Sequence, residues 1–477
     1  MAVFEAQTGR PASPIVARWP LLPLRVLMAN LFDAGLGTLF LVSVLWQAVL
    51  LVNDRPDLSV EMLALAGNGC LAVAGFVWSL RRQYPILLAF FFFDFIFLSI
   101  APQQQLRFGF DPVFGDATAL WTAIWLCLAF SLFGGLALVA RARPVTPRPL
   151  DGSSWYARSL CPGFHPAMLS IVVTIASAGL LLLYGRSLFT SREGYFDNLA
   201  GFADKTSSLL LTSFLNPLVF AGAVVGVIGT WRARDRGWLA VFAGLLVLAA
   251  VINNPIVTAR FRASALVAFA ILALVGWRNT RLLAAYLVAG MASSPIFNAF
   301  RYESSTTTDA RTLDRFFSHI DFDAFAMTCH VVRYSLQNGF SYGDNILSAL
   351  LFFVPRALWP GKSEHVAFYV WPQVRYYRNV WTNNLSSPPF AEGYFSFGLL
   401  GALLMIAVMC WLAVKLERSA EAARPDSAGR LVVCMIPMLS IILLRGPLIV
   451  GVSEVCGDVA AVLAAVKLSQ VRFRLMR

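Results

Sequence analysis

Runs of roughly 17 to 25 apolar residues, each long enough for a helix to cross about 30 Å of hydrocarbon, recur from one end of this chain to the other. In that solvent every backbone N–H and C=O must find its partner inside the protein, so such runs fold as helices. The expected fold is therefore all-α, a polytopic integral membrane protein of about twelve transmembrane helices. Composition agrees. Hydrophobic residues make up 58% of the 477 and charged residues 13%, against about half and a quarter in a soluble domain.

The candidate spans are residues 29–52, 60–80, 84–101, 117–140, 166–184, 209–231, 237–252, 263–277, 282–300, 394–414, 431–449 and 452–470. They divide the chain into an N-terminal membrane region (1–300), a long polar segment (301–393) and a C-terminal membrane region (394–477). Arg10, Arg18 and Arg25 precede an apolar run too long for a signal-peptide core, so the first span is expected to stay in the protein.

Lys and Arg in short loops set orientation. Of the 38 here, 22 fall on the side of the termini, eight in the short loops opposite and eight in 301–393. Both termini are therefore expected in the cytoplasm and the long segment outside. This topology also absorbs the net charge of +12, and no basic stripe argues for nucleic acid. The seven cysteines show no Cys-x-x-Cys pair and no metal-ligand spacing with the four histidines, so neither disulfides nor a metal is expected.

A connection of about ninety residues is far longer than usual and is normally functional. Within it, Asn345 to Leu358 is too short to span and is stopped by Pro355 and Pro360, so it reads as an interfacial or re-entrant helix. A thirteenth span there would place Lys415–Arg430 outside, against the charge rule.

The segment VPRALWPGKSEH (354–365), then NNLSSPPFAEGYFSFGLLG (383–401), and NNPIVTARF (253–261) carry a resemblance. They resemble the Wzy-type O-antigen and oligosaccharide repeat-unit polymerases through Pro355, Arg356, Trp359, Pro360, Lys362, Asn384, Ser387, Glu392, Gly398 and Gly401. The resemblance implies a GT-C-like membrane fold in a bacterial inner membrane. It also implies transfer of a glycan from undecaprenyl diphosphate to the hydroxyl of another lipid-linked repeat, in O-antigen, capsule or exopolysaccharide synthesis. A chain-length regulator and a flippase are its implied partners, beside the lipid-linked oligosaccharide and membrane lipid, and no cofactor is implied.

A diphosphate leaving group gathers about two negative charges, which preorganised cations can stabilise without a metal. Arg356, Lys362 and Arg445 are the expected catalytic cations, with Arg260, Arg262 and Arg301 as further substrate contacts. Snorkelling to the interface is the plainer reading of Arg260, Arg262 and Arg445. Lys362, one of only four lysines, stands beside a tight Trp-Pro-Gly turn and also reads as a surface residue.

Glu392 is expected to activate the acceptor hydroxyl, ahead of His365, Glu364 and Asp344; its other reading is a carboxylate complementing a helix dipole. Trp359, Asn384, Tyr376 and Tyr377, with His365, are the expected sugar contacts, although an interfacial aromatic belt has the same composition. Asp321 and Asp323, two residues after His319, form an Asp-x-Asp that reads as a helix start or a solvated loop rather than a metal site. Asp94, in FFFDFIF, stands out as the one acid deep in an apolar span, either functional or a structural hydrogen-bond partner. Alternatives to the polymerase are an O-antigen ligase-type glycosyltransferase and a transporter or flippase of lipid-linked sugars.

Overall fold

The computed structural model describes residues 21–109, 111–142, 163–189, 211–256, 258–301, 316–318, 320–378, 385–423 and 427–471. Among them the regular structure is helical, without a strand. In chain order the helices are α1 (Leu21–Asp54), α2 (Ser59–Arg82), α3 (Pro85–Phe95), α4 (Ala101–Phe108), α5 (Ala117–Ala142), α6 (Pro166–Tyr184), α7 (Asn216–Ala233), α8 (Arg236–Ile252), α9 (Arg260–Val275), α10 (Thr280–Arg301), α11 (Ala324–Asn338), α12 (Asp344–Leu350), α13 (Val366–Arg378), α14 (Pro389–Ala422), α15 (Ala428–Arg445) and α16 (Leu448–Leu468). Nine helices among the described residues are long and apolar enough to cross a membrane: those within 27–54, 56–82, 85–108, 117–142, 166–189, 211–233, 389–422, 428–445 and 448–468.

Two of the remaining expected spans fold as shorter helices, and the third lies within α10. Helix α8 has 17 residues and α9 only 16, about 26 and 24 Å at 1.5 Å per residue. Helix α10 has 22 residues and carries Pro295 inside it.

The segment α3–α4 is the core. Its residues 85–106 are buried on every side, as expected of a helix apolar all round. Ring pairs tie it to its neighbours: Phe90 stacks on Phe130 of α5 at 4.1 Å and Phe95 on Phe40 of α1 at 4.2 Å. A wide π turn, Ile96–Ile100, joins α3 to α4. The start of α3 is capped from another helix, since Glu417 Oε1 accepts from Ile86 N at 2.6 Å and Leu87 N at 3.2 Å.

Asp94 is fully buried and takes the structural alternative. It accepts from Asn68 Nδ2 of α2 at 3.0 Å and from Ser131 Oγ of α5, clasping three helices. It is not the one deep acid, however. Asp33, Glu417 and Asp458 are equally buried, each with a donor from another helix. Asp33 forks onto Arg281 at 2.9 Å twice. Hydropathy averages over such residues because a single acid barely lowers the mean of an eighteen-residue run.

The short helix is shorter than Asn345–Leu358: α12 ends at Leu350 and tight turns follow to Gly361. Pro355 lacks the N–H that a continuing helix would offer to Leu351 O. Helix α14 is broken at Phe397 (φ −140°, ψ 25°) and Gly398 (φ 63°, ψ −148°). Ahead of the break, Pro389–Ser396 forms a buried half-helix bent sharply against the spanning portion, and Ser341 N and Tyr342 N donate to Phe395 O and Ser396 O.

Candidate functional site

The turn before α9 is folded by its own side chains. Asn254 Oδ1 accepts from Ile256 N at 2.9 Å and Thr258 Oγ1 donates to Asn254 O at 2.8 Å, with Pro255 fixing φ between them. The helix that follows therefore presents Arg260 and Arg262 in its first turn, about 200° apart around the axis. They go to opposite sides.

Arg260 lines a cavity of about 490 Å³, whose walls are largely apolar: Phe97, Phe220, Val267, Leu287 and Met438 are among them. Its polar end is built from Arg260, Asp321 and Ser294. Arg260 Nη1 donates to Ser294 Oγ at 2.8 Å and its Nη2 is paired with Asp321. A predominantly apolar chamber with a few convergent polar groups is the usual form of a ligand site.

Arg445, the last residue of α15, reaches the same place. Its Nε donates to Asp321 O at 2.9 Å, its guanidinium lies 5.2 Å from the Phe261 ring, and Nη2 is 3.8 Å from Asp323 Oδ1. Asp323 directly precedes α11, as expected of a helix start, yet its carboxylate does not cap that helix. It is fully buried and accepts from Ser386 Oγ. The Asp-x-Asp is thus no solvated loop: its carboxylates are the counter-charges that hold Arg260 and Arg445 in place.

Glu392, expected to meet the acceptor hydroxyl, lies in the half-helix of α14 and is 1% exposed, its carboxylate turned into the bundle. Oε2 accepts from Asn345 Nδ2 at 2.9 Å and Oε1 from Leu448 N at 3.0 Å. The carboxylate therefore caps the start of a neighbouring helix, α16, and ties α12 to it through Asn345. Asn345 in turn accepts from Ser341 Oγ and Ser396 Oγ, both at 2.7 Å.

The Pro-Arg-x-x-Trp-Pro-x-Lys stretch folds on itself. Lys362 is nearly buried, and its ammonium spends all three donors on Leu351 O, Phe352 O and Val354 O at 3.0, 2.7 and 3.0 Å. Burial, with the nearby Arg356 guanidinium, pushes this ammonium below the usual lysine range, while the three carbonyls work in the opposite sense. Arg356 closes the loop from outside, donating to Lys362 O at 2.6 Å and pairing with Glu364 at 2.9 Å. Trp359 is half-buried in this loop, and His365 stands edge-on to Phe368.

The structure thus brings Arg260 and Arg445 together around Asp321 and turns Arg262 into the bundle, toward α16. Among the described residues, Arg356 and Lys362 share no ion pair with that group. Tyr376 is 94% exposed. Asn384 and the side chains of Arg301 and Tyr377 lie outside the described residues, as does His319. No group of three His, Cys, Asp or Glu suited to a metal occurs among the described residues. The residues missed from sequence are the partners Asn345, Glu454 and Asp458, while Asp321 and Asp323 stand out there but not as partners of the arginines. A signal was present for Asp458, because Arg262 and Asp458 both sit inside apolar runs and each needs an opposite charge.

Comparison with protein-family models, curated proteins and solved structures yields no match.

If Lys362 is a staple, Lys362→Ala loses a charge-assisted cluster worth about 1.5–3 kcal/mol. Thermal unfolding of the detergent-solubilised variant is expected about 2 to 3 °C below wild type. An unchanged midpoint would show that the ammonium does not hold this loop.

Proposed function

We propose that the chain is a polymerase of lipid-linked oligosaccharide repeats, an inner-membrane glycosyltransferase spanning twelve times with both termini cytoplasmic. The observation that carries this reading is the apolar cavity ending at Arg260, with Arg445 beside it. A chamber of this kind suits the first isoprenyl units of a lipid diphosphate, with the phosphates at the guanidinium end. In the reaction the acceptor oxygen bonds to the anomeric carbon, the bond from that carbon to phosphate breaks, and lipid diphosphate leaves with the electron pair.

The two arginines stabilise the leaving charge, and Asp321, displaced from Arg260 by phosphate, takes the hydroxyl proton. Glu392 is a positioning residue: it fixes the start of α16, three residues after Arg445, instead of touching the sugar. The resemblance of the Trp-Pro-x-Lys and Phe-Gly-x-x-Gly stretches supports the same class. Purified protein in proteoliposomes, given a lipid-diphosphate-linked repeat, is expected to produce a ladder of longer glycans; a single unextended species would sink the proposal.

One observation favours a carrier as the second reading. Broken helices and several buried charges inside the bundle are also what transporters use. Movement of the lipid-linked repeat across the bilayer without a ladder would select it.

The topology has its own test. Introduced cysteines at Ser153 and Ala422 are expected to be shielded from an impermeant thiol reagent in intact cells, and those at Ser191 and Ser305 to be labelled. Labelling at Ala422 in sealed cells would overturn twelve spans.

A further inference from the structure

Arg262 takes no part in the cavity. It enters the bundle, where Nη2 donates to Asp458 Oδ1 at 3.1 Å and Nη1 lies 3.7 Å from Glu454 Oε1. Asp458 and Glu454 stand four residues apart on one face of α16, with Asp458 about 15 Å along the helix from Leu448. The triad therefore sets two carboxylates against one guanidinium, deep in an apolar helix.

Two observations show that the described protein groups leave the excess charge uncovered. Asp458 is fully buried, yet its Oδ2 accepts no hydrogen bond, and Arg262 Nε, also buried, has no acceptor among the described residues. Among the described residues, the elements packed on α16 bring no second cation to this depth. Helix α7 carries only Arg232, near its far end, and the wide turn Leu211–Leu215 carries no titratable group. Helix α15 has Arg430 and Arg445 near its two ends and Cys434 between. Helix α12 has Asp344, and α6 has Tyr184, whose hydroxyl is given to Asn216. On α16 itself Cys456 and Lys467 remain, the latter in the last turn, and on α9 Arg260 is held by Asp321.

An unbalanced carboxylate in this surrounding costs several kcal/mol, which binding one positive charge removes. We infer that the Arg262–Glu454–Asp458 triad is a binding site for one monovalent cation, a proton or a sodium ion, received at Asp458 Oδ2. The adjoining backbone is built for close approach. A Cβ on Gly457 would stand 2.1 Å from Ser213 O, so glycine lets this carbonyl of the wide turn reach α16 at the residue next to Asp458. Carbonyls of an interrupted helix are natural neutral ligands for a small cation. Because Arg262 and Arg260 share the first turn of α9, occupancy of this site bears on how that turn is held at the cavity. The inference does not depend on the polymerase reading.

The test is thermal unfolding of the full-length protein in nanodiscs. Sodium replaces choline at constant ionic strength in one series, and pH is varied without sodium in another. A cation bound only by the folded state stabilises it in proportion to the logarithm of its concentration, about 1 to 2 °C per tenfold here. If sodium is the ligand, the midpoint rises with sodium at fixed pH. If the proton is, the midpoint falls as pH rises, since the folded state then holds more protons than the unfolded.

Asp458→Asn keeps the shape while removing the excess charge, and it is expected to abolish whichever dependence the wild type shows, as is Glu454→Gln. Should Asp458→Asn fail to fold, Glu454→Gln decides alone. A wild type indifferent to both ions, or a dependence retained in the variants, overturns the site.

Discussion

A Gly401→Val substitution is expected to leave no folded protein. The bend at Phe397–Gly398 presses the backbones of Gly393 and Gly401 together. A Cβ on Gly401 would stand 2.2 Å from Gly393 O, and one on Gly393 would stand 2.4 Å from Gly401 O. Both obstacles are main chain and cannot rotate aside. Gly398, at φ 63° and ψ −148°, occupies a conformation that side chains scarcely tolerate, so the bend cannot shift its strain there.

Reopening the bend would withdraw Glu392 from Leu448 N and Asn345, leaving a buried carboxylate and a helix start without partners. Together these exceed the roughly 3–5 kcal/mol of a severe single substitution, against a total stability of about 5–15 kcal/mol. Size-exclusion of a fluorescently tagged membrane extract is the measurement, and loss of the monodisperse peak is the expectation. Gly244→Ala is the control, because a Cβ there meets nothing within 4 Å. A monodisperse Gly401→Val protein with a normal melting temperature would mean that the half-helix is not folded back.

Much of this architecture was legible in the sequence, for a simple reason: hydrocarbon demands length and apolarity, and both are read along one dimension. The nine long helices fall where the apolar runs lie, and the all-round apolar segment around FFFFDF is the buried one. What the sequence hides is which face meets which. Lipid and core are equally apolar, so no stripe marks the packing side as it does in a soluble helix.

The same limit applies to the site. The cations Arg260 and Arg445 could be picked out as costly residues near helix ends, but not that Asp321 stands between them. Lys362 was conspicuous by rarity, and its three carbonyl partners come from residues eight to eleven positions earlier in a loop of no regular period. The Gly398 and Gly401 of the Phe-Gly-x-x-Gly stretch, known from sequence only as part of the resemblance, make a break inside a helix, where close backbone contact uses both glycines.

Arg260→Ala is expected to reduce glycan polymerisation by tenfold to more than a hundredfold with the protein still folded. The guanidinium stands at the polar end of the cavity, and a charge-assisted contact to a phosphate in a dry site is worth about 1.5–3 kcal/mol. Loss of fold is not expected, because Arg260 keeps 12% side-chain exposure and its removal frees Asp321 to meet water at 18%.

Arg260→Lys is expected to recover little. With Nη1 on Ser294, the edge that Asp321 vacates can meet the phosphate in the plane of the fork, a geometry that an ammonium does not reproduce. Asp321→Asn separates the roles, since it leaves Arg260 its full charge but removes the group that takes the acceptor proton. Lipid-diphosphate binding should therefore persist or strengthen while turnover falls. The readouts are the rate of ladder formation in proteoliposomes and retention of the lipid-linked repeat by the purified variants. If Arg260→Ala makes the ladder at the wild-type rate, the cavity is a lipid niche unconnected with the chemistry, and the polymerase reading must find its cations elsewhere.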